Sequence, residues 1–166
     1  MTSRFCTSIA TSVFALLVLT APGFAAEAAF SNDQALIAMG LCEEMGHLVN
    51  VMVDYTATKC IPALSTKGTN FIFVSEQPVF LVEASKKAWI IVVVSVVGKT
   101  LTNKPSYKAD KILFGDVSMV KEKHYYTVPA ALAKSLQPKV YDGQISVETM
   151  WSRITSALTP YPVPAK

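Results

Sequence analysis

Glu43 and His47 are the residues whose types and spacing come closest to a metal-binding or reactive pair. Residues four positions apart on a helix lie on the same side, one turn from each other. A carboxylate and an imidazole in this arrangement can bind the same metal ion. Asp54 would orient the imidazole if the helix bends towards it. Glu43, His47 and Asp54 are therefore a candidate ligand or metal site.

A structural interpretation of the same residues is simpler. Glu43, His47, Asn50 and Asp54 form one narrow polar line along an otherwise apolar helix, which is typical of the solvated side of a mostly buried helix. The second histidine, His124, has no partner at a metal-ligand spacing. The sequence accordingly predicts no metal and no cofactor.

Sequence motifs for nucleophilic and phosphate chemistry are absent. The chain contains no Gly-x-Ser-x-Gly elbow, no Gly-x-x-x-x-Gly-Lys loop and no Gly-x-Gly-x-x-Gly fingerprint. No serine is marked out by a neighbouring histidine. The sequence favours a non-enzymatic protein and leaves a catalytic role only to the candidate site above.

Cys42 and Cys60 are the second pair that could do chemistry. The third cysteine, Cys6, falls in a predicted leader, and two cysteines left in an exported chain most often form one disulfide. Their separation of 18 residues is unlike the Cys-x-x-Cys of redox pairs. We predict a structural disulfide, with free or intermolecular thiols as the alternative.

Residues 1–25 have the three-part pattern of a secretory signal peptide. A positive start with Arg4 precedes a short apolar core, and small residues precede a cut after Ala25 or, alternatively, after Ala28. The core is short for a membrane-spanning helix, so an uncleaved anchor is the less favoured interpretation. The pattern predicts an exported protein, periplasmic or extracellular.

The length and charge of the chain fit one domain, residues 26–158, with a real core. The formal charge of +3 falls by one when Arg4 leaves with the leader. A nearly neutral chain favours neither nucleic acid nor a membrane surface as its ligand. Apolar residues make up 51% of the sequence, which favours a well-buried sheet or an interface.

The first predicted element is a long, mostly buried helix that begins near residue 32. A bond between Cys42 and Cys60 requires this helix to end near residues 52–54, because the few residues after a longer helix could not lead back to Cys42.

Residues 89–97 are apolar except for Ser95, and most of them are β-branched. This composition favours a strand covered on both faces. We predict it as the central strand of an antiparallel meander of about five strands, because short connections join only antiparallel neighbours. Residues 61–68 are predicted as a loop. Strands are predicted at 70–75 and 79–84, and at least two more among the segments 108–114, 117–121 and 124–128.

Two helices are predicted to follow the sheet. The first covers residues 130–136 after Pro129, and the second is capped by Ser146 with Glu148 in its first turn. Residues 159–166, with three prolines, are predicted as a flexible tail. The predicted fold class is α+β, an antiparallel meander sheet with a long N-terminal helix and two C-terminal helices packed on it.

Lysines and tyrosines between residues 107 and 126 form a mildly basic region. Acidic residues among them reduce its positive charge too far for nucleic-acid binding. Tyr125 and Tyr126 would point to opposite faces of a strand. Tyr107 and Tyr125 are the candidate contacts to a protein partner, and a sheet with one uncovered face would require a homodimer.

Two functional hypotheses follow from the sequence. The leading one is an exported, bacterial periplasmic protein-binding or accessory domain without enzymatic activity. The alternative is a small-molecule or metal-binding, or hydrolytic, protein with a helix–sheet pocket near Glu43, His47 and Asp54.

Overall fold

The computed structural model describes residues 32–54, 56–119 and 124–162, and the predicted leader lies outside them. The predicted α+β class is confirmed. The helices are α1 (Asn32–Met52), α2 (Glu83–Asn103), α3 (Ala130–Tyr141) and α4 (Val147–Ala157). The strands are β1 (Thr58–Ser65), β2 (Gly68–Ser75), β3 (Ala109–Asp116), β4 (His124–Pro129) and β5 (Thr159–Pro162).

The five strands form one sheet in the order in which they occur along the chain. Neighbouring strands are antiparallel except β2 and β3, which run parallel. The sheet is therefore mixed, and the prediction of a purely antiparallel meander is corrected. The physical reason is α2, which is the crossover that parallel neighbours need.

The prediction of a central strand at residues 89–97 is wrong, because these residues lie inside α2. The most buried positions recur at helical spacing, as Trp89, Val93 and Val97 do. β-Branched residues lower helix propensity only slightly, so burial of the whole segment decides its structure. Residues 79–84 likewise form a short 3₁₀ turn (Val79–Leu81) and the start of α2, and residues 61–65 belong to β1.

Trp89 lies at the centre of the hydrophobic core. Its side chain is fully buried, and its indole N–H donates a 2.9 Å hydrogen bond to Thr58 Oγ1. The rings of Phe80 and Phe114 contact the indole edge-on. Residues of all four helices join one face of the sheet in this core.

The end of α1 at Met52 confirms the prediction made from the cysteine spacing. Cys42 and Cys60 form a disulfide that joins α1 to β1. Asn50 adds a second connection, since its Nδ2 donates to the carbonyl of Thr58 (2.9 Å) and its Oδ1 accepts from the Thr58 amide (2.5 Å).

The C-terminal elements differ from the prediction at two points. α3 continues through Pro138 to Tyr141, and the segment predicted as a tail begins with β5, which pairs with β4. The cap of α4 is confirmed, because Ser146 Oγ accepts the amide of Thr149 at 3.1 Å. Residues 163–166 lie outside the described part.

Gly98 allows α2 and α3 to approach closely. A Cβ at this position would lie 2.5 Å from the carbonyl oxygen of Ala133 and 2.7 Å from Cβ of Gln137. We expect Gly98→Ala to lower the free energy of unfolding by about 1–3 kcal/mol, as overpacking does, measured by urea denaturation.

Gly40→Ala is the matched control, because a Cβ there meets no atom within 4 Å. Alanine on the open side of a helix is expected to raise the free energy of unfolding by up to ~1 kcal/mol. Equal effects of the two substitutions would contradict the close approach of the two helices.

Candidate functional site

Glu43 and His47 lie exposed on the solvent side of α1, and Asp54 is exposed just beyond its end. The side-chain amide of Asn50, from the same polar line, is hydrogen-bonded to the backbone of Thr58. Within the described residues, no three His, Cys, Asp or Glu side chains form a group that could hold a metal ion. None of the three residues lines the cavity at the end of α2 or the smaller one beside Phe80, so they lie on an exposed helix surface.

The structure separates the two tyrosines predicted to contact a partner. Tyr107 lies on the core side, where its hydroxyl is 2.7 Å from Thr69 Oγ1 and its ring stacks on Phe71. Tyr125 lies on the opposite face of the sheet against Gly115. The predicted opposition of Tyr125 and Tyr126 is confirmed, since Tyr126 stacks on Phe80 of the core.

The sheet has two different faces because side chains alternate along each strand. Core positions such as Phe71, Phe73 and Phe114 pack against the helices. The alternate positions do not belong to that core, and in the described part of the chain no helix contributes to their side of the sheet. We call this side the open face, defined by Ile61, Ile72, Val74, Leu113 and Tyr125.

Strand register brings the open-face residues into one band. Ile61 pairs with Ile72 across β1 and β2, and Ile72 pairs with Leu113 across β2 and β3. Tyr125 pairs with Tyr161 of β5. Ile61 is 51% exposed, Ile72, Val74 and Tyr125 are half-buried, and Leu113 at the centre of the band is only 3% exposed. The band is therefore an apolar surface that reaches across most of the sheet.

Gly115 explains why Tyr125 lies flat on this surface. A Cβ at Gly115 would overlap the Tyr125 ring, so the ring occupies the space that any other residue would fill. Gly115 and Asp116 were predicted to lie between two strands, whereas both belong to β3. A glycine within a strand pattern is a signal of such a close approach.

Cations lie at two points of the open face. Lys111 Nζ is 5.4 Å from the centroid of the Tyr161 ring, a cation–π contact. Lys59 pairs with Glu76, an exposed pair of little energetic weight. Lys111 and Lys59 thus place positive charge at the margin of an otherwise apolar face.

A second exposed apolar surface lies on α1, at Leu36, Ile37, Val51 and Met52. By length and composition, α1 is the one described helix that is long and apolar enough to cross a membrane. Its inner side is buried in the domain and bonded to β1 through Cys42 and Cys60. α1 therefore belongs to the folded domain and also presents an apolar outer side.

Asp116 is a buried carboxylate that sequence analysis did not single out. Its Oδ2 accepts the Phe80 amide at 2.7 Å, and its Oδ1 accepts the Ser118 amide and hydroxyl and the Met119 amide. These bonds fix the turn after β3 against the turn before α2. Asp116 is thus a structural residue, since both of its carboxylate oxygens accept hydrogen bonds within the domain.

Comparisons with known protein families, with curated proteins and with solved structures find no match to this chain. The functional proposal therefore depends on the geometry above, that of the open face and of the outer side of α1.

Proposed function

We propose that this protein is an exported, non-enzymatic protein-binding domain, and that the open face of its sheet is the contact surface. The observation that supports this is the apolar band of Ile61, Ile72, Val74, Leu113 and Tyr125, on a side of the sheet that no described helix covers. A sheet that packs on both faces is the usual outcome when both faces are apolar. A partner would supply the missing layer.

The chemistry of the open face defines the partner. The centres of protein interfaces are typically apolar, and tyrosines are among the residues that contribute most of the binding energy. Lys111 makes a cation–π contact with Tyr161, and the two ion pairs of the described residues involve Lys59 and Lys86 instead. The partner is therefore a folded protein with an apolar surface and a carboxylate that meets Lys111.

Two observations support the exported, periplasmic part of the proposal. The Cys42–Cys60 disulfide is of a kind that persists in oxidising compartments such as the bacterial periplasm. Residues 1–25 have the sequence pattern of a signal peptide. The non-enzymatic part is supported by the exposed, shallow setting of Glu43, His47 and Asp54.

Position-specific photo-crosslinking in the native cells tests the surface. A photoreactive residue at Ile61 on the open face is expected to form an adduct with one protein, which mass spectrometry identifies. The same residue at Leu81, which is 72% exposed on the short turn before α2, is the control and is expected to form none. A third position, Val51, reports on the outer side of α1.

The affinity for the purified partner then tests the contribution of the Tyr125 side chain. Tyr125→Ala is expected to weaken affinity by about tenfold or more, the loss typical of a central interface tyrosine. Tyr141→Ala, at an 84% exposed tyrosine of α3, is the matched control and should leave affinity unchanged. Adducts at Val51 alone, adducts only between two copies of this chain, or equal effects of the two tyrosine substitutions would each refute the proposal.

A further inference from the structure

A cavity of about 260 Å³ lies where α2 ends and where β3 and α3 begin. Its rim holds Lys67, Lys108 and Lys134, one each from the β1–β2 turn, the start of β3 and α3. All three side chains are exposed, so their ammonium groups are accessible to a ligand. Three cations from three separate segments therefore surround one opening.

Gly68 brings two of these lysines together. Its φ of +143° and the absence of a side chain let the hairpin turn contact the next segment, since a Cβ would lie 2.7 Å from the carbonyl oxygen of Lys108. The Thr69 amide donates to that same carbonyl at 2.9 Å. The turn that carries Lys67 is thereby held beside Lys108.

Lys134 approaches from the other side of the cavity. Its Nζ lies 3.4 Å from the carbonyl oxygen of Pro105, in the loop between α2 and β3. This weak contact keeps the ammonium group near the cavity without neutralising it. The third charge is thus held by α3, which is fixed in the core.

No carboxylate balances these charges in the described part of the chain. None lines the cavity, and the two ion pairs described involve Lys59 and Lys86 instead. Like charges around one opening repel each other, and an anion between them would remove that repulsion.

The floor of the cavity is mostly apolar. Leu101 and Ala130 are almost fully buried there, and the Tyr107 ring stands beside them with its hydroxyl bonded to Thr69. A bare inorganic anion would contact only the lysine rim. A ligand that fills the cavity needs an anionic group and a small apolar body.

We propose that this cavity binds a small organic anion, with a phosphate or carboxylate group among the three lysines and an apolar part against Leu101 and Tyr107. Lysine acts as a point charge towards such groups, so the site selects for charge at the rim and for shape at the floor. The proposal is independent of the open face, on which none of these residues lies.

Isothermal titration calorimetry of the purified protein tests the site with three probes. Phenyl phosphate carries both parts of the proposed ligand, inorganic phosphate only the anion, and phenol only the ring. Phenyl phosphate is expected to bind most tightly and phenol most weakly. Added salt should weaken phenyl phosphate binding, because the charges are exposed.

Lysine variants locate the bound anion. Lys108→Gln and Lys134→Gln are each expected to weaken phenyl phosphate binding by about fivefold, the effect of losing one exposed ion pair. Lys139→Gln, at an exposed lysine in the last turn of the same α3, is the matched control and should change nothing. Circular dichroism and melting curves verify that each variant is folded.

Three results would overturn the proposal: no binding of phenyl phosphate, equal binding of phenol and phenyl phosphate, or an equal effect of Lys139→Gln and Lys108→Gln. Tyr125→Ala on the open face should leave anion binding unchanged. Failure of the anion site is therefore distinguishable from failure of the protein-binding surface.

Discussion

Trp89→Ala is expected to lower the free energy of unfolding by about 3–5 kcal/mol, a large part of the stability of an ordinary domain. The indole is fully buried, so its removal leaves a cavity among Phe80, Phe114 and the helices. The substitution also removes the hydrogen bond to Thr58 Oγ1. Urea denaturation followed by far-UV circular dichroism measures the loss.

Two controls separate the parts of the Trp89 effect. Trp89→Phe keeps an aromatic ring but removes the N–H donor, and we expect a loss of about 1–2 kcal/mol. Leu81→Ala, at a 72% exposed position, is expected to stay within about 0.5 kcal/mol of the unchanged protein. If Trp89→Ala cost no more than Leu81→Ala, the central position of α2 in the core would be refuted.

The segment around Trp89 shows where sequence reasoning failed and why. A short apolar run fits a buried strand and a buried helix equally well by periodicity, and its β-branched residues favoured the strand. The flanking residues held the deciding signal. Ser95, Lys99 and Thr102 lie at helical spacing on the less buried side of α2, and Glu83 pairs with Lys86 one turn later.

Two wrongly predicted strands changed the predicted topology of the sheet. Strands at 79–84 and 89–97 implied short connections and hence antiparallel neighbours. With α2 in their place, β2 and β3 are joined by a long crossover and run parallel. The fold class and the number of strands were still predicted correctly. The strands at residues 70–75, 108–114 and 124–128, and the polar turns between elements, are each recognisable from their own local sequence.

The candidate surfaces were only partly predictable. Local alternation placed Tyr125 and Tyr126 on opposite faces, as the structure confirms. The open face depends on the register of β1, β2 and β3, and the lysine-lined cavity depends on contacts between segments far apart in sequence. Neither property is contained in a local pattern of residues.

The end of α1 was predictable because a bond between Cys42 and Cys60 sets a geometric limit. Joining Cys42 to Cys60 limits how far α1 can extend, whatever the propensities of residues 49–56. Those residues alternate as a strand would, yet α1 continues to Met52 and the chain turns back directly afterwards. A covalent distance constraint thus decided a boundary that composition left ambiguous.

Removal of this disulfide is expected to lower the free energy of unfolding by about 3 kcal/mol, the value of the chain-entropy model for a loop of this length. The double variant Cys42→Ala/Cys60→Ala avoids a free thiol, and its melting temperature should fall by roughly 10 °C. The Asn50–Thr58 bonds still connect α1 to β1 in this variant, so the fold should persist. Thermal melting with and without a reducing agent measures the effect.

The reducing agent provides the control for this prediction. It should lower the melting temperature of the unchanged protein to that of the double variant and leave the double variant unaffected. Asn50→Ala in the double-variant background should cost more than in the unchanged protein, because both connections hold α1 on β1 and their losses are coupled. An equal effect of reductant on both proteins would show that the Cys42–Cys60 bond does not stabilise the domain.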